Sequence, residues 1–173
     1  ILLFTTDQHR GDSIGLSPGS IVETPNLDGI ADAYFPNAYT EIPSTTGARR
    51  VMLSGTANHA CGVVGYSMKS WDEQYSVASV LARNGYHCIN VGWRNLHPRW
   101  KYFGFHQVVP HELREEADEY WKWLKTELGP SAHERYEGID ANGWLGKPWD
   151  LDERQHPTNW TLAAANEASK ARA

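Results

Sequence analysis

The sequence predicts an α/β fold whose strands are of the buried, parallel kind, and three stretches carry that expectation. ILLFTT at 1–6 is a continuous apolar run ending in two threonines, which reads as a strand covered on both faces. SVASVLARNGYHCINVG at 76–92 reads as a helix over 76–83, with Val77, Val80 and Leu81 on its apolar face, stopped by Asn84-Gly85 and followed by a second buried strand. TTGARRVMLSG at 45–55 places a helix between the two, with Ala48, Val51 and Met52 at helical spacing and Gly55 as its stop. A helix feeding a strand of the same sheet implies a right-handed parallel crossover.

The remaining elements follow in order. TPNLDGIADA (24–33) is a short helix with Thr24 as N-cap, Pro25 at the first helical position, and Leu27, Ile30 and Ala31 on one face. YFPNAYT (34–40) is extended. HELREEADEYWKWLKTELG, after GFHQVV (104–109), is a helix with a charged face and with Leu113, Ala117, Trp121 and Leu124 opposite. From 129 to 157 the chain is loop-rich in Gly, Pro and Trp, and HPTNW opens a last helix with Thr158 as its N-cap. Two confident strands of the buried kind need neighbours on both edges, and both chain ends interrupt elements. The expectation is the N-terminal part of a larger α/β domain, or a truncated relative of one.

Composition excludes some partners. A net charge of −5 argues against nucleic acid, whose phosphates demand a basic face. No apolar run approaches the roughly 18–20 residues of a membrane span. No signal peptide is recognisable, and the chain opens without a methionine. Cys61 and Cys88 lie in apolar surroundings and read as buried free thiols, which favours a reducing, cytoplasmic compartment. All eight tryptophans but Trp71 fall in the second half, which therefore needs much covering surface.

The chemistry-bearing residues gather where strands end. Asp7 and Gln8 follow the first run, and a carboxylate with an amide oxygen suits a hard divalent cation; Asp7 reads equally as the cap of a turn. Ser44, Thr45 and Thr46 open a helix, whose start offers unpaired N–H groups and partial positive charge to an anion. Arg49 lies one turn on from Thr45, and a guanidinium fork suits phosphate or sulfate. A cation touching Thr45 would activate its hydroxyl as a nucleophile. The alternative is that Ser44 or Thr45 only caps the helix. GWRNLHP (92–98) opens onto the same edge, with Arg94, Asn95 and His97 as lining candidates. The other histidines show no metal-ligand spacing.

Taken together, ILLFTTDQHRGDSIG, ETPNLDGIADA, FPNAYTEIPSTTGARRVMLSGTANHACGVVGY and VASVLARNGYHCINVGWRNLHP resemble, in order and spacing, the N-terminal half of the sulfatase family of the alkaline-phosphatase-like superfamily. The resemblance implies a partial alkaline-phosphatase-like sandwich, with a mainly parallel central sheet flanked by helices and a metal, most naturally Ca²⁺ (or Mg²⁺ or Mn²⁺), at its C-terminal edge. It places Asp7 and Gln8 at metal-binding positions, Thr45 at the nucleophile and metal-contacting position, and Arg49 at the arginine of a C/S-x-P-x-R pattern. GWRN falls where the family commonly has G-K-x-H.

The chain departs from that pattern. Thr45 stands for the convertible cysteine or serine and Gly47 for the proline, so no formylglycine is expected. Trp93 stands for a lysine and Asn95 for a histidine, leaving His97 as substitute proton donor. The family's second pair of metal ligands lies beyond the equivalent of residue 173. The resemblance thus implies a hydrolase of small anionic esters of sulfate, or of phosphate or phosphonate, by metal-assisted attack of Thr45, incomplete or inactive as this chain stands. The alternative is a non-catalytic relative that binds an anionic ligand or a protein partner.

Overall fold

The structure, a computed structural model, describes residues 1–63, 65, 69–72, 75–112, 118–130, 132 and 146–170. The chain divides into two compact units, residues 1–40 and 41–173.

The first unit holds one short helix, α1 (Pro25–Ile30), with Pro25 in its first turn. Thr24 occupies the N-cap position without a side-chain cap bond. Its hydroxyl instead accepts from the Gly15 N–H (2.8 Å) and donates to Asp28 Oδ1 (2.7 Å). No residue of this unit is buried; Leu27 is half-covered, while Ile30 and Ala31 are exposed, against the apolar face expected of them. Residues 1–6 form no strand, and Ile1 is 97% exposed. A strand is held by ladder hydrogen bonds, and no other segment of 1–40 is a strand to supply them.

The second unit contains the sheet and the core. Helix α2 (Thr45–Ser54) ends as expected at Gly55, whose N–H bonds Val51 O. Its buried side is made by Thr46, Gly47, Arg50 and Leu53. Ala48 and Val51 are half-buried against Ile42, Cys61 and Val63, while Met52 is exposed. The one-turn helix α3 is Asn58–Cys61, and α4 is Val77–Arg83. Ser76 starts α4 with a capping box: its Oγ accepts from Ser79 N–H (3.0 Å) and Ser79 Oγ accepts from Ser76 N–H (2.8 Å). Ala78 is buried while Val77 and Val80 are exposed, so the helix is turned away from its expected face.

Strand β1 (Ile89–Gly92) pairs in parallel with β2 (Gln107–Pro110), in the register Ile89↔Gln107 to Gly92↔Pro110. The parallel type agrees with the sequence; the partner does not. QVVP is too short and ends in proline, which hid it as a strand. The connection, 93–106, contains no helix, so the expected helix-fed crossover does not build this pair.

Helix α5 (Glu119–Leu128) begins at Asp118, whose Oδ1 accepts from Trp121 N–H (2.8 Å) and whose Oδ2 accepts from Glu112 N–H (2.6 Å). Leu124 is buried as expected, joined by Tyr120; Leu113 and Ala117 lie outside the described residues. So does most of the loop-rich 129–157 stretch. A 3₁₀ turn, Glu153–Gln155, leads into α6 (Pro157–Lys170). Thr158 lies inside this helix rather than capping it: its N–H donates to His156 Nδ1 (3.2 Å).

Among the described residues three apolar clusters hold the unit together. Leu53, Trp71, Leu96 and Phe103 form the first, with Trp71 and Phe103 stacked at 4.7 Å. Tyr120, Leu124, Ala132 and Trp160 form the second, between α5 and α6, and Ile42, Cys61 and Val63 the third. Cys61 and Cys88 are free and buried, as expected. Trp100, by contrast, is 80% exposed. Among the described residues no helix is long and apolar enough to cross a membrane.

Candidate active site

The start of α2 is uncapped. Ser44 is extended (φ −142°, ψ 130°), as an N-cap should be, but its side chain makes no cap bond. Thr45 follows, half-buried, at the first helical position. Thr46 is buried, and its Oγ1 has no hydrogen-bond partner among the described residues. Gly47 is buried so tightly that a Cβ would sit 2.7 Å from Ile42 Cδ1. The backbone N–H groups of this first turn are therefore left without a capping side chain at the N-cap position. Ser44 thus does not act as the side-chain cap that the sequence offered as an alternative.

Arg49, one turn on, reaches across the unit. Its Nη1 donates to the Trp93 carbonyl at 2.6 Å, and its Cζ lies 5.9 Å from the Trp93 ring centroid. Trp93 is presented by the end of β1. Gly92 has φ 95°, and a Cβ there would meet Thr161 Cγ2 at 2.9 Å, so the chain turns at a position that suits only glycine. Further along the same loop, Asn95 is buried with φ 46°. Positive φ at a non-glycine residue is uncommon and clusters at functional sites. Gln8 shares the feature, with φ 55°.

Sequence reasoning placed Arg94 and Asn95 in a lining; the structure buries both. Arg94, 5% exposed, donates to the carbonyls of Lys101 (2.9 Å) and Arg99, and its Nε stands 3.5 Å from Glu112 Oε1. Arg99 Nε stands 3.8 Å from the other oxygen of Glu112, itself buried. This ion cluster holds the 93–101 loop on the end of β2. Arg50 is likewise turned inward, its Cζ 5.9 Å from the Trp71 ring. Nothing in the sequence distinguished Arg49 from Arg50 beyond the four-residue offset from Thr45, and nothing announced Glu112.

His97 is half-buried, with its Nε2 shut from solvent and lacking a hydrogen-bond partner among the described residues. Its carbonyl accepts from Trp71 N–H at 2.7 Å. Burial pushes the imidazole below its ordinary pKa, Arg99 pushes it further, and Glu112 pulls the other way. Among the described residues no hydrogen bond joins His97 to Thr45 or Arg49. A cavity of about 380 Å³ lies nearby in the chain, lined by Arg99, Trp100, Tyr102, Val108 and Lys122 among others, but Thr45, Arg49 and His97 do not line it.

Asp7 and Gln8 belong to the first unit, at a bend. A carboxylate and an amide oxygen side by side fit a hard cation rather than a thiophilic one. Among the described residues no group of three His, Cys, Asp or Glu side chains converges to hold a metal ion.

Comparison with known proteins joins these features. The sequence profile of the sulfatase family matches residues 1–149. The chain is also 34% identical over 180 aligned positions to a protein of Clostridium perfringens (strain 13 / Type A) named arylsulfatase, an alignment covering 94% of this chain and 37% of that protein. The chain thus spans little more than a third of the length of that curated relative. With the profile covering most of its length and the same motifs in order at 1–15, 23–33, 35–66 and 77–98, the chain belongs to the sulfatase family.

Proposed function

We propose that this chain supplies the nucleophile-bearing part of a hydrolase of sulfate esters. The observation that carries the reading is the uncapped start of α2 with Thr45 at its first position and the Arg49 guanidinium held one turn away. An ester oxyanion bound there would meet the backbone N–H groups of the helix start and the Arg49 fork, two preorganised donors of positive potential. The Thr45 hydroxyl then gives up its proton and attacks sulfur as the S–O bond to the leaving oxygen breaks, and an equivalent proton ends on that oxygen to release the alcohol. The sulfo-threonine so formed must be released by water, because threonine has no second hydroxyl from which to expel sulfate. That slow second step makes phosphodiester or phosphonate esters natural alternative substrates.

Asp7 and Gln8 are the residues that would hold a divalent cation, Ca²⁺ first, and Thr45 is assigned to the same ion by the resemblance alone. When bound, the cation would lower the pKa of the hydroxyl and neutralise oxyanion charge. The full alkaline-phosphatase-like sandwich, with residues 1–173 as part of its catalytic domain, belongs to this same proposal. Burial and Arg99 favour the neutral form of the His97 imidazole, which suits it to donating a hydrogen bond and to acting as proton donor in acid.

A second reading is a non-catalytic relative that binds a small anion. The observation favouring it is Trp93, which stands where the family commonly has a lysine and engages Arg49 through its carbonyl and ring.

The deciding experiment combines calorimetry with turnover. Ca²⁺, Mg²⁺ and Mn²⁺ are titrated into the protein and into Asp7→Ala, and aryl sulfate, phosphodiester and phosphonate esters are assayed with the bound ion. Aryl sulfates come first because the relative is named an arylsulfatase. We expect binding that Asp7→Ala abolishes; in a longer chain that also carries the remaining metal ligands, activity should be lost in Thr45→Ala but kept in Thr45→Ser. Cation affinity equal in the two proteins removes the metal assignment. Turnover by that longer chain unaffected by Thr45→Ala removes the nucleophile, and sulfate binding without its turnover of any ester selects the second reading.

A further inference from the structure

We propose that Trp93 is a positioning residue for the oxyanion site, holding the Arg49 guanidinium in one orientation through both its ring and its backbone carbonyl; the proposal rests on the anion reading of α2. Three observations carry it. First, Arg49 makes two different contacts with the same residue: Nη1 on the Trp93 carbonyl at 2.6 Å and Cζ 5.9 Å from the ring centroid. A hydrogen bond sets where the guanidinium edge points, and a ring within cation–π reach attracts the same cation from a second side.

Second, Trp93 is not spent on the core. It is half-buried and belongs to none of the three apolar clusters, whereas Trp71 and Trp160 do. Third, the backbone around it is built to hold that carbonyl in place. Gly92 on one side and buried Asn95 on the other both have positive φ, and Arg94 between them is tied to two carbonyls and to Glu112. Glycine takes up positive φ freely, whereas at Asn95 it is uncommon and is held by the buried surroundings.

The arrangement also selects how an anion approaches. The face of an indole is electron-rich and repels negative charge, so an oxyanion is steered off the ring and onto the N–H edge of the guanidinium. The ligand class is a tetrahedral oxyanion such as sulfate, gripped by its oxygens.

The test uses inorganic sulfate as probe on the full chain, with Trp93→Phe, Trp93→Leu, Arg49→Lys and Arg49→Ala. Phe keeps an electron-rich face; Leu keeps apolar volume without one. We expect Trp93→Leu to weaken sulfate binding about three- to tenfold and Trp93→Phe to stay within about twofold of the unaltered chain. The Arg49 Nε–H resonance, assigned by its loss in Arg49→Lys, should carry a ring-current shift that Phe retains and Leu abolishes. A merely structural tryptophan would give no such rescue. Sulfate binding in Trp93→Leu equal to that of the unaltered chain, with Arg49→Ala abolishing it, overturns the proposal and leaves the anion reading standing. Binding unaffected by Arg49→Ala, or absent from the unaltered chain, removes the anion reading and the proposal with it.

Discussion

Arg49 and Arg50 are neighbours with the same side chain and opposite fates. The helix turns by about 100° per residue, so one points to the Trp93 carbonyl and the other into the apolar cluster around Trp71. Position on the helix, rather than residue type, decides which is available to chemistry. The same scale governs response to acid. His97 titrates below its ordinary value in the folded chain because of burial and Arg99. The unfolded chain therefore takes up the proton first, so the stability His97 contributes is complete above about pH 6.5 and lost as pH falls from there toward the folded value. Asp118 is buried, which by itself would raise its pKa, but the His111 ring 3.5 Å away and the bonds from Trp121 N–H and Glu112 N–H win and hold it below the usual carboxylate range. Its contribution is complete above about pH 3.9 and lost as pH falls through the folded value. We expect the melting temperature to fall in two stages on acidification, with His97→Gln flattening the first. An unchanged slope in that variant between about pH 6.5 and 5 would show that another group is responsible.

At the scale of elements, α4 is pinned at its start rather than along its side. Ser76 completes a capping box and also donates to the Phe103 carbonyl, which ties the helix to the chain just before β2. Gly104, next to it, has φ 89°, and a Cβ there would press into the Ser79 backbone nitrogen and sit 2.5 Å from Ser79 Cα. Backbone cannot yield as a flexible side-chain tip can. Gly104→Ala should therefore cost at least about 2 kcal/mol, combining overlap with left-handed strain. Gly129 has the same φ with ψ 173°, a conformation open essentially to glycine alone, and among the described residues nothing lies within 4 Å of a Cβ added there, so Gly129→Ala reports a purely conformational cost of about 1–3 kcal/mol. Urea unfolding of the two variants measures the difference. A loss under about 1 kcal/mol in Gly104→Ala would mean that Ser79 does not press on residue 104.

At the scale of the whole molecule, the two units differ in kind. Residues 41–173 have three apolar clusters and a parallel strand pair, whereas residues 1–40 bury nothing. Cooperative stability follows buried apolar surface and paired backbone. Amides of 1–6 should exchange with solvent deuterium at nearly unprotected rates, and those of β1 and α5 should be the slowest. Protection at Leu2–Phe4 comparable to that at Ile89–Gly92 would refute the exposed state of that segment.

Local signals determined a good part of this chain. The bounds of α2, its stop at Gly55, the Ser76 start of α4, β1 and the buried thiols were all readable, because caps, stops and apolar runs act within a turn or two. The i, i+4 relation of Thr45 to Arg49 was readable for the same reason, and the ordered motifs pointed to the family. Tertiary structure alone decided the rest. It paired β1 with a proline-ended strand, left ILLFTT without a ladder, and turned α4 onto Ala78 instead of Val77 and Val80. It also joined Arg49 to a carbonyl forty-four positions away, through a loop set by Gly92 and Asn95. Hydrophobic periodicity says that a face must be covered, but what covers it depends on distant segments whose approach is fixed by a few unusual backbone angles.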